Sequence, residues 1–154
     1  CVDSLYALGY AHQLPALTTI GGSLYAEGYA HQLPALTTIG GYLIQNAPFI
    51  PNIHERVYEA AKADDKFDMG GWGRETSCGT GRCRGGHVVN LAGKEGFALK
   101  DKTDFGVAAL LIYLKSDPDL ALKGYPNFSG DMKNDDAMAD MKRCAELESN
   151  AVKV

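Results

Sequence analysis

The first 45 residues contain no lysine and no arginine, and their only acidic residues are Asp3 and Glu27. A surface without cations cannot release counterions from a phosphate backbone, which argues against nucleic acid as a partner of this section. The chain also lacks any run of 18 apolar residues, so no membrane span is expected. No basic stretch leads into an apolar one near its start, so no signal peptide is expected in the residues given. Four cysteines among 154 residues fall short of a disulfide scaffold, and a reducing, cytoplasmic setting is the expectation. The chain opens on Cys1 rather than methionine, as a processed or truncated product would.

What is present divides in two near residue 45. All fifteen basic residues and the remaining acidic ones lie in residues 46–154, while the chain as a whole carries a mild net charge of −4. An apolar fraction of 45% with 22% charged residues suits a packed core rather than disorder. The uncharged section is a tandem repeat. Residues 4–22 read SLYALGYAHQLPALTTIGG and residues 23–41 repeat them with one change, Leu8 against Glu27. Identity at a fixed period is the mark of stacked units.

Within the copies Leu14, Leu17, Ile20 and Leu24 recur as Leu33, Leu36, Ile39 and Leu43, each followed through a Gly-Gly corner into a β-prone segment. This L-x-x-L-x-x-I-G-G-x-L spacing resembles leucine-rich-repeat and receptor-L-domain solenoids, although the Asn ladder of leucine-rich repeats is missing. The resemblance implies a short β-solenoid of 19-residue coils, with segments 23–26 and 42–45 as successive rungs. Stacking in register would place Tyr6 over Tyr25, Tyr10 over Tyr29 and His12 over His31. Such ladders serve either as a recognition strip or simply as stabilising stacked pairs. With only two coils, the N-terminal face is expected to be open.

Helical periodicity takes over after Pro48 and Pro51. A helix is expected over residues 53–63 with Asn52 as its cap, and a second over 82–99 despite Gly85, Gly86, Gly93 and Gly96. Each glycine costs about 1 kcal/mol relative to alanine, so their presence implies close helix contacts. A third helix begins after Thr103 or Asp104 and stops at Ser116-Asp117-Pro118. The stretch 119–131 reads as a loop anchored by Tyr125, Pro126 and Phe128. A last helix runs from Asn134 or Asp135 to about Glu148, with Ala137, Met138, Met141, Cys144 and Leu147 at helical spacing.

Chemistry-bearing residues concentrate in residues 72–87, WGRETSCGTGRCRGGH. Cys78, Cys83 and His87 have a C-x4-C-x3-H spacing that zinc could use, with His54 or Cys144 as a fourth ligand. Gly79 and Gly81 beside Arg74, Arg82 and Arg84 could instead form an anion site at a helix start, though without the Lys-Ser/Thr of a phosphate-binding loop. The third reading is structural, with buried thiols, a Trp anchor and surface arginines. Cysteine–histidine pairs can be drawn from Cys83 with His87, or from Cys78 with His54. Neither has a third orienting group in the sequence, so no reaction is supported.

The segment C-G-T-G-R-C-R-G-G-H-V-V-N-L-A-G-K-E-G resembles a C-G-T-x-x-C-x-x-G-W-x-V-x-L-A-G-x-x-G pattern of bacterial and phage proteins. These also end in a D-x-A-x-x-D-x-x-x-x-A helix, here residues 135–145. The likeness spans residues 50–147, departs at His87 where the pattern has Trp, and brings no activity with it. The expected architecture is therefore α+β, a β-solenoid over residues 1–45 capped by a four-helix domain over 46–154. The expected function is non-catalytic binding of another protein, or self-association through the open solenoid end. Contacts would run through the Tyr and His ladders with Arg74, Arg82 and Arg84. The phage likeness extends this to an inhibitor of a bacterial defence complex, of the anti-CRISPR kind. The alternatives are a zinc- or anion-binding protein or enzyme at Cys78, Cys83 and His87, and a self-stacking structural protein.

Overall fold

In a computed structural model, the chain is described at residues 5–8, 16–21, 24–27, 35, 37–39, 41–70, 83–119 and 131–151. Five short strands come first: β1 (Leu5–Leu8), β2 (Thr19–Ile20), β3 (Leu24–Glu27), β4 (Thr38–Ile39) and β5 (Tyr42–Leu43). A 3-10 turn, Ile44–Asn46, leads into the helices. These are α1 (Ile53–Ala63), α2 (Arg84–Leu91), α3 (Gly93–Lys102), α4 (Phe105–Ser116) and α5 (Asn134–Ala151).

The expected β-solenoid, and with it the leucine-rich-repeat-like fold, is overturned: the described residues are mainly helical, and their strands form only two small sheets. β1 pairs with β3 in parallel, Leu5 opposite Leu24 and Tyr6 opposite Tyr25, and β2 pairs likewise with β4. Identical copies do meet in register, but the pairing does not propagate. After β4 the chain turns at Gly41, whose φ of +80° is open to glycine at little cost. β5 then comes back antiparallel, Ile39 opposite Tyr42. The segment expected as the next parallel rung is therefore a hairpin return that ends the stack.

Among the described residues there are five helices rather than four. The single helix expected over residues 82–99 is two, broken at Gly93, which sits at φ +60°. Close contact explains the next glycine. A Cβ on Gly96 would lie 2.5 Å from the Val89 carbonyl oxygen and 2.7 Å from the Ala92 Cβ, so α3 leans on α2 through bare backbone.

α4 is the central element. Its sequence is apolar almost throughout, and every residue from Val107 to Leu114 is buried, as expected of a helix surrounded by others. Asp104 caps it by accepting a hydrogen bond from Val107 N at 2.8 Å. α2 and α3 pack against α4, and α1 packs against α5 and α2. One hydrophobic core joins Ile53 and Val57 of α1, Val88 of α2, Leu111 of α4 and Met141 of α5 to Ile39 of the second repeat copy. The repeat section is thus rooted in the helical core rather than stacked beside it.

Helix ends here are held by other helices. Asn52, expected to cap α1 with its side chain, makes no such bond and instead takes the left-handed conformation, φ +50°, which asparagine tolerates. The free N–H of Glu55 donates to Glu148 Oε2 of α5 at 3.0 Å, a carboxylate at the positive end of a helix. Asn134 likewise leaves its own helix to bind the chain after α1. Its Oδ1 accepts from Met69 N and its Nδ2 donates to the Phe67 carbonyl. No helix of the described residues is long and apolar enough to cross a membrane.

Candidate functional site

Where α1, α2, α4 and α5 meet, the core contains charge. Arg84, at the start of α2, is fully buried. A buried guanidinium must be paired and hydrogen-bonded to be tolerated, and among the described residues three side chains serve it. Its Nη1 donates to Asp140 Oδ2 at 2.5 Å, its Nε to the Tyr113 hydroxyl at 3.3 Å, and its Nη2 to Cys144 Sγ at 3.5 Å. Its guanidinium also lies 5.6 Å from the centre of the Tyr113 ring. From the surface, Arg143 grips the second oxygen of Asp140 at 3.1 and 2.6 Å and places Nη2 3.6 Å from Cys144 Sγ. Burial would raise the Asp140 carboxyl, but Arg84 and Arg143 outweigh it and hold the group below its ordinary value.

On the other side of Cys144 stands His54, in the first turn of α1 and 3% exposed. Its Nε2 is 3.0 Å from Asp117 Oδ2, and its ring stacks on Tyr113 at 5.1 Å between centroids. Asp117 caps the C-terminal end of α4, its N–H donating to the Tyr113 carbonyl and its Oδ1 accepting from Asp119 N. The second ring nitrogen of His54, Nδ1, is buried without a hydrogen-bond partner. The Cys144 thiol is the neighbour that His54 bears on besides Asp117, and each shifts the other's protonation.

The electrostatics follow from this placement. Burial disfavours the imidazolium of His54, but Asp117 and then Cys144 outweigh it, and its pKa is raised. Burial likewise pushes the Cys144 thiol up, yet His54 and then Arg84 prevail and hold it below the ordinary thiol value. Cysteine, histidine and aspartate thus lie in a chain with two guanidiniums beside the sulfur. Such an arrangement can store a thiolate, pass a proton through the imidazole, and keep that imidazole oriented through its carboxylate.

The residues singled out by spacing are distributed differently. Cys83 and His87 are both buried, and Phe67 borders both. Cys83 packs with Met69 and Ala137, whereas His87 stacks on Phe67 and lies 3.4 Å from Asp64 Oδ2. Burial outweighs Asp64 and lowers the His87 pKa. Among the described residues no three His, Cys, Asp or Glu side chains converge as a metal-binding set. Cys78, Arg74 and Arg82 lie outside the described residues, as do Tyr10, His12, Tyr29 and His31. Tyr6 and Tyr25 are placed only through their backbone pairing. Arg84, expected on the surface as a contact residue, is instead the hub of the buried cluster.

His54 and Cys144, each offered by the sequence as a fourth metal ligand and otherwise as a partner of Cys78 and a core-facing position, are the two that come together. Sequence spacing does not single out Asp117, Tyr113 or Asp140, whose partners His54 and Arg84 sit on other helices, and Arg143 joins only through its i,i+3 contact with Asp140. Asp117 did carry a signal. A carboxylate at a helix C-terminus opposes the helix dipole, so it calls for a cationic or hydrogen-bonding partner elsewhere. Comparison with protein-family models, with curated proteins and with solved structures gives no match to this chain.

Proposed function

We propose that the protein is a binding module for another protein, with the helical core as its rigid backing. One observation carries this reading. On either side of the 3-10 turn, Leu43 is 41% and Phe49 is 61% exposed, while Ala47 and Ile50 between and beside them are sunk in the core. Two large apolar side chains are thereby held out on a segment that cannot retract them. β5, which carries Leu43, pairs with β4 on one edge and with no strand on the other among the described residues. A free edge beside apolar anchors suits an extended segment of a partner, which would gain main-chain hydrogen bonds along the edge. Covering Leu43 and Phe49 is worth about 2 kcal/mol together, enough to matter and too little to bind alone.

The narrower expectation of a phage-type inhibitor rests on the segment likeness, and the geometry adds no residue to it. The test immobilises the full chain and compares wild type with Leu43→Ser/Phe49→Ser and with Leu147→Ser, an exposed apolar control on α5. Capture of a defined protein that is lost in the double variant and kept in the control supports the proposal. Equal capture by all three, or only self-association in light scattering, overturns it.

A further inference from the structure

The cluster around Cys144 is more than the fastening of a buried arginine. A structural Arg84–Asp140 pair needs neither His54 nor Asp117, and a structural histidine does not need a buried ring nitrogen without a partner. That nitrogen, on a side chain 97% withdrawn from solvent, is the second observation that separates this site from a lone thiol. Groups of every packed element bear on the sulfur. His54 comes from α1, Arg84 from α2, and Asp140 and Arg143 from α5 itself, with Glu148 adding to the field at His54. Tyr113 and Asp117 of α4 act one step away, through Arg84 and His54.

We propose that Cys144 is a site of modification by hydrogen peroxide or a small hydroperoxide, with His54 as the proton donor and Asp117 as its positioning residue. Cys144 retains 5% of its surface, which excludes a peptide or sugar but suits an oxidant of two heavy atoms. The thiolate sulfur attacks the terminal oxygen of the peroxide, forming S–O as the O–O bond breaks. The departing oxygen takes the proton from His54 Nδ1 and leaves as water, or as an alcohol from a hydroperoxide. Sulfur gives up two electrons, the peroxide accepts them, and Cys144 becomes a sulfenic acid. The guanidiniums of Arg84 and Arg143 stabilise the thiolate beforehand. They also stabilise the negative charge spread over sulfur and oxygen during attack.

Cys83 provides the internal standard. It is 7% exposed, much as Cys144 is, but packs among Met69, Ala137 and Met132, which are uncharged. Exposure is therefore similar at the two sulfurs, while the charged cluster of His54, Arg84, Asp140 and Arg143 is described around Cys144. The experiment treats the full native chain with hydrogen peroxide and a sulfenic-acid trap between pH 5.5 and 9, and follows each cysteine by peptide mass spectrometry. Trapping at Cys144 is expected at least 10-fold faster than at Cys83 at pH 7. Its rate should hold as pH falls, whereas an ordinary thiol loses about tenfold per unit below its pKa of about 8.5. In His54→Gln the Cys144 rate is expected to fall at least 10-fold with its pH midpoint shifted upward, while the Cys83 rate stays put and reports an intact fold. A Cys144 rate no greater than that of Cys83, or an ordinary thiol pH profile in the wild type, overturns the proposal whether or not the variant folds.

Discussion

Replacing Gly96 by alanine would normally stabilise a helix by about 1 kcal/mol, because glycine carries the larger backbone entropy loss on folding. Here the added methyl would sit 2.5 Å from the carbonyl oxygen of Val89 and 2.7 Å from the Ala92 Cβ. Favourable contact between such atoms lies at about 3.5–4.0 Å, so α3 would have to move away from α2 by roughly 1 Å. Neither obstacle is the free end of a side chain that can rotate aside. The cost therefore belongs at the upper end of the range for overpacking, about 3 kcal/mol. The propensity gain offsets about 1 kcal/mol of that, leaving a net loss of about 2 kcal/mol. For a chain of this length that is a fall in Tm of about 4–8 °C. Gly93→Ala is the control. Nothing lies within 4 Å of its added carbon, so only the φ of +60° opposes it. That costs about 1–2 kcal/mol, and Gly93→Asn should recover most of it. Urea unfolding followed by far-ultraviolet circular dichroism measures all three. A Gly96→Ala protein as stable as wild type, or more so, would show that α2 and α3 do not touch as described.

The two described histidines should give opposite pH limbs. His54 has its pKa raised by folding, so its contribution is complete below the unfolded value near 6.5 and is lost as pH rises through the folded value. His87 is lowered by burial, so the unfolded chain takes up its proton more readily and stability falls as pH drops below about 6.5. Urea midpoints between pH 5 and 9 should lose the alkaline dependence in His54→Gln and the acid dependence in His87→Gln. Unchanged profiles would refute the placements. Asp140→Ala removes a carboxylate shared by Arg84 and Arg143 and should cost about 3–5 kcal/mol in the same assay, as when one partner of a buried pair is removed. Arg84→Met/Asp140→Leu should recover most of that loss, because apolar side chains of similar size need no pairing.

Local structure was legible wherever a local cause sets it. α1 spans the 53–63 that its apolar spacing predicts, and α4 starts at the Asp104 cap and ends at Ser116, before Asp117 and Pro118. The register of the repeat was readable too, since identical copies pair Thr19 with Thr38 and Ile20 with Ile39. What spacing does not reveal is where propagation stops. Gly41 resembles Gly22 in sequence, yet the chain after it turns back because Ile44, Ala47 and Ile50 are drawn into the helical core. The glycines of 82–99 are expected both to weaken one helix and to mark close helix contacts. Gly93 is a break, and Gly96 is a contact that no other residue would fit. The site was least legible. His54 and Cys144 are separated by most of the chain, and only the packing of α1 on α5 brings them together. Proximity in sequence points to Cys83 and His87, yet no metal-binding set among the described residues includes them.

The two segments 78–96 and 135–145 do different work in the helical packing and in the thiol site. Gly93 and Gly96 of the first segment serve the α2–α3 joint, and Ala137 and Ala145 of the second are buried on α5. Asp140, also a pattern residue, holds Arg84, which occupies an unspecified position of the first segment. These letters describe how two pieces of chain lock together. Cys144 occupies an unspecified position of the second segment, and His54 and Asp117 lie outside both. The residues that lock the two segments together are therefore not the ones that make the thiol site. The useful question for any relative is whether it has cysteine, histidine and aspartate at these three places.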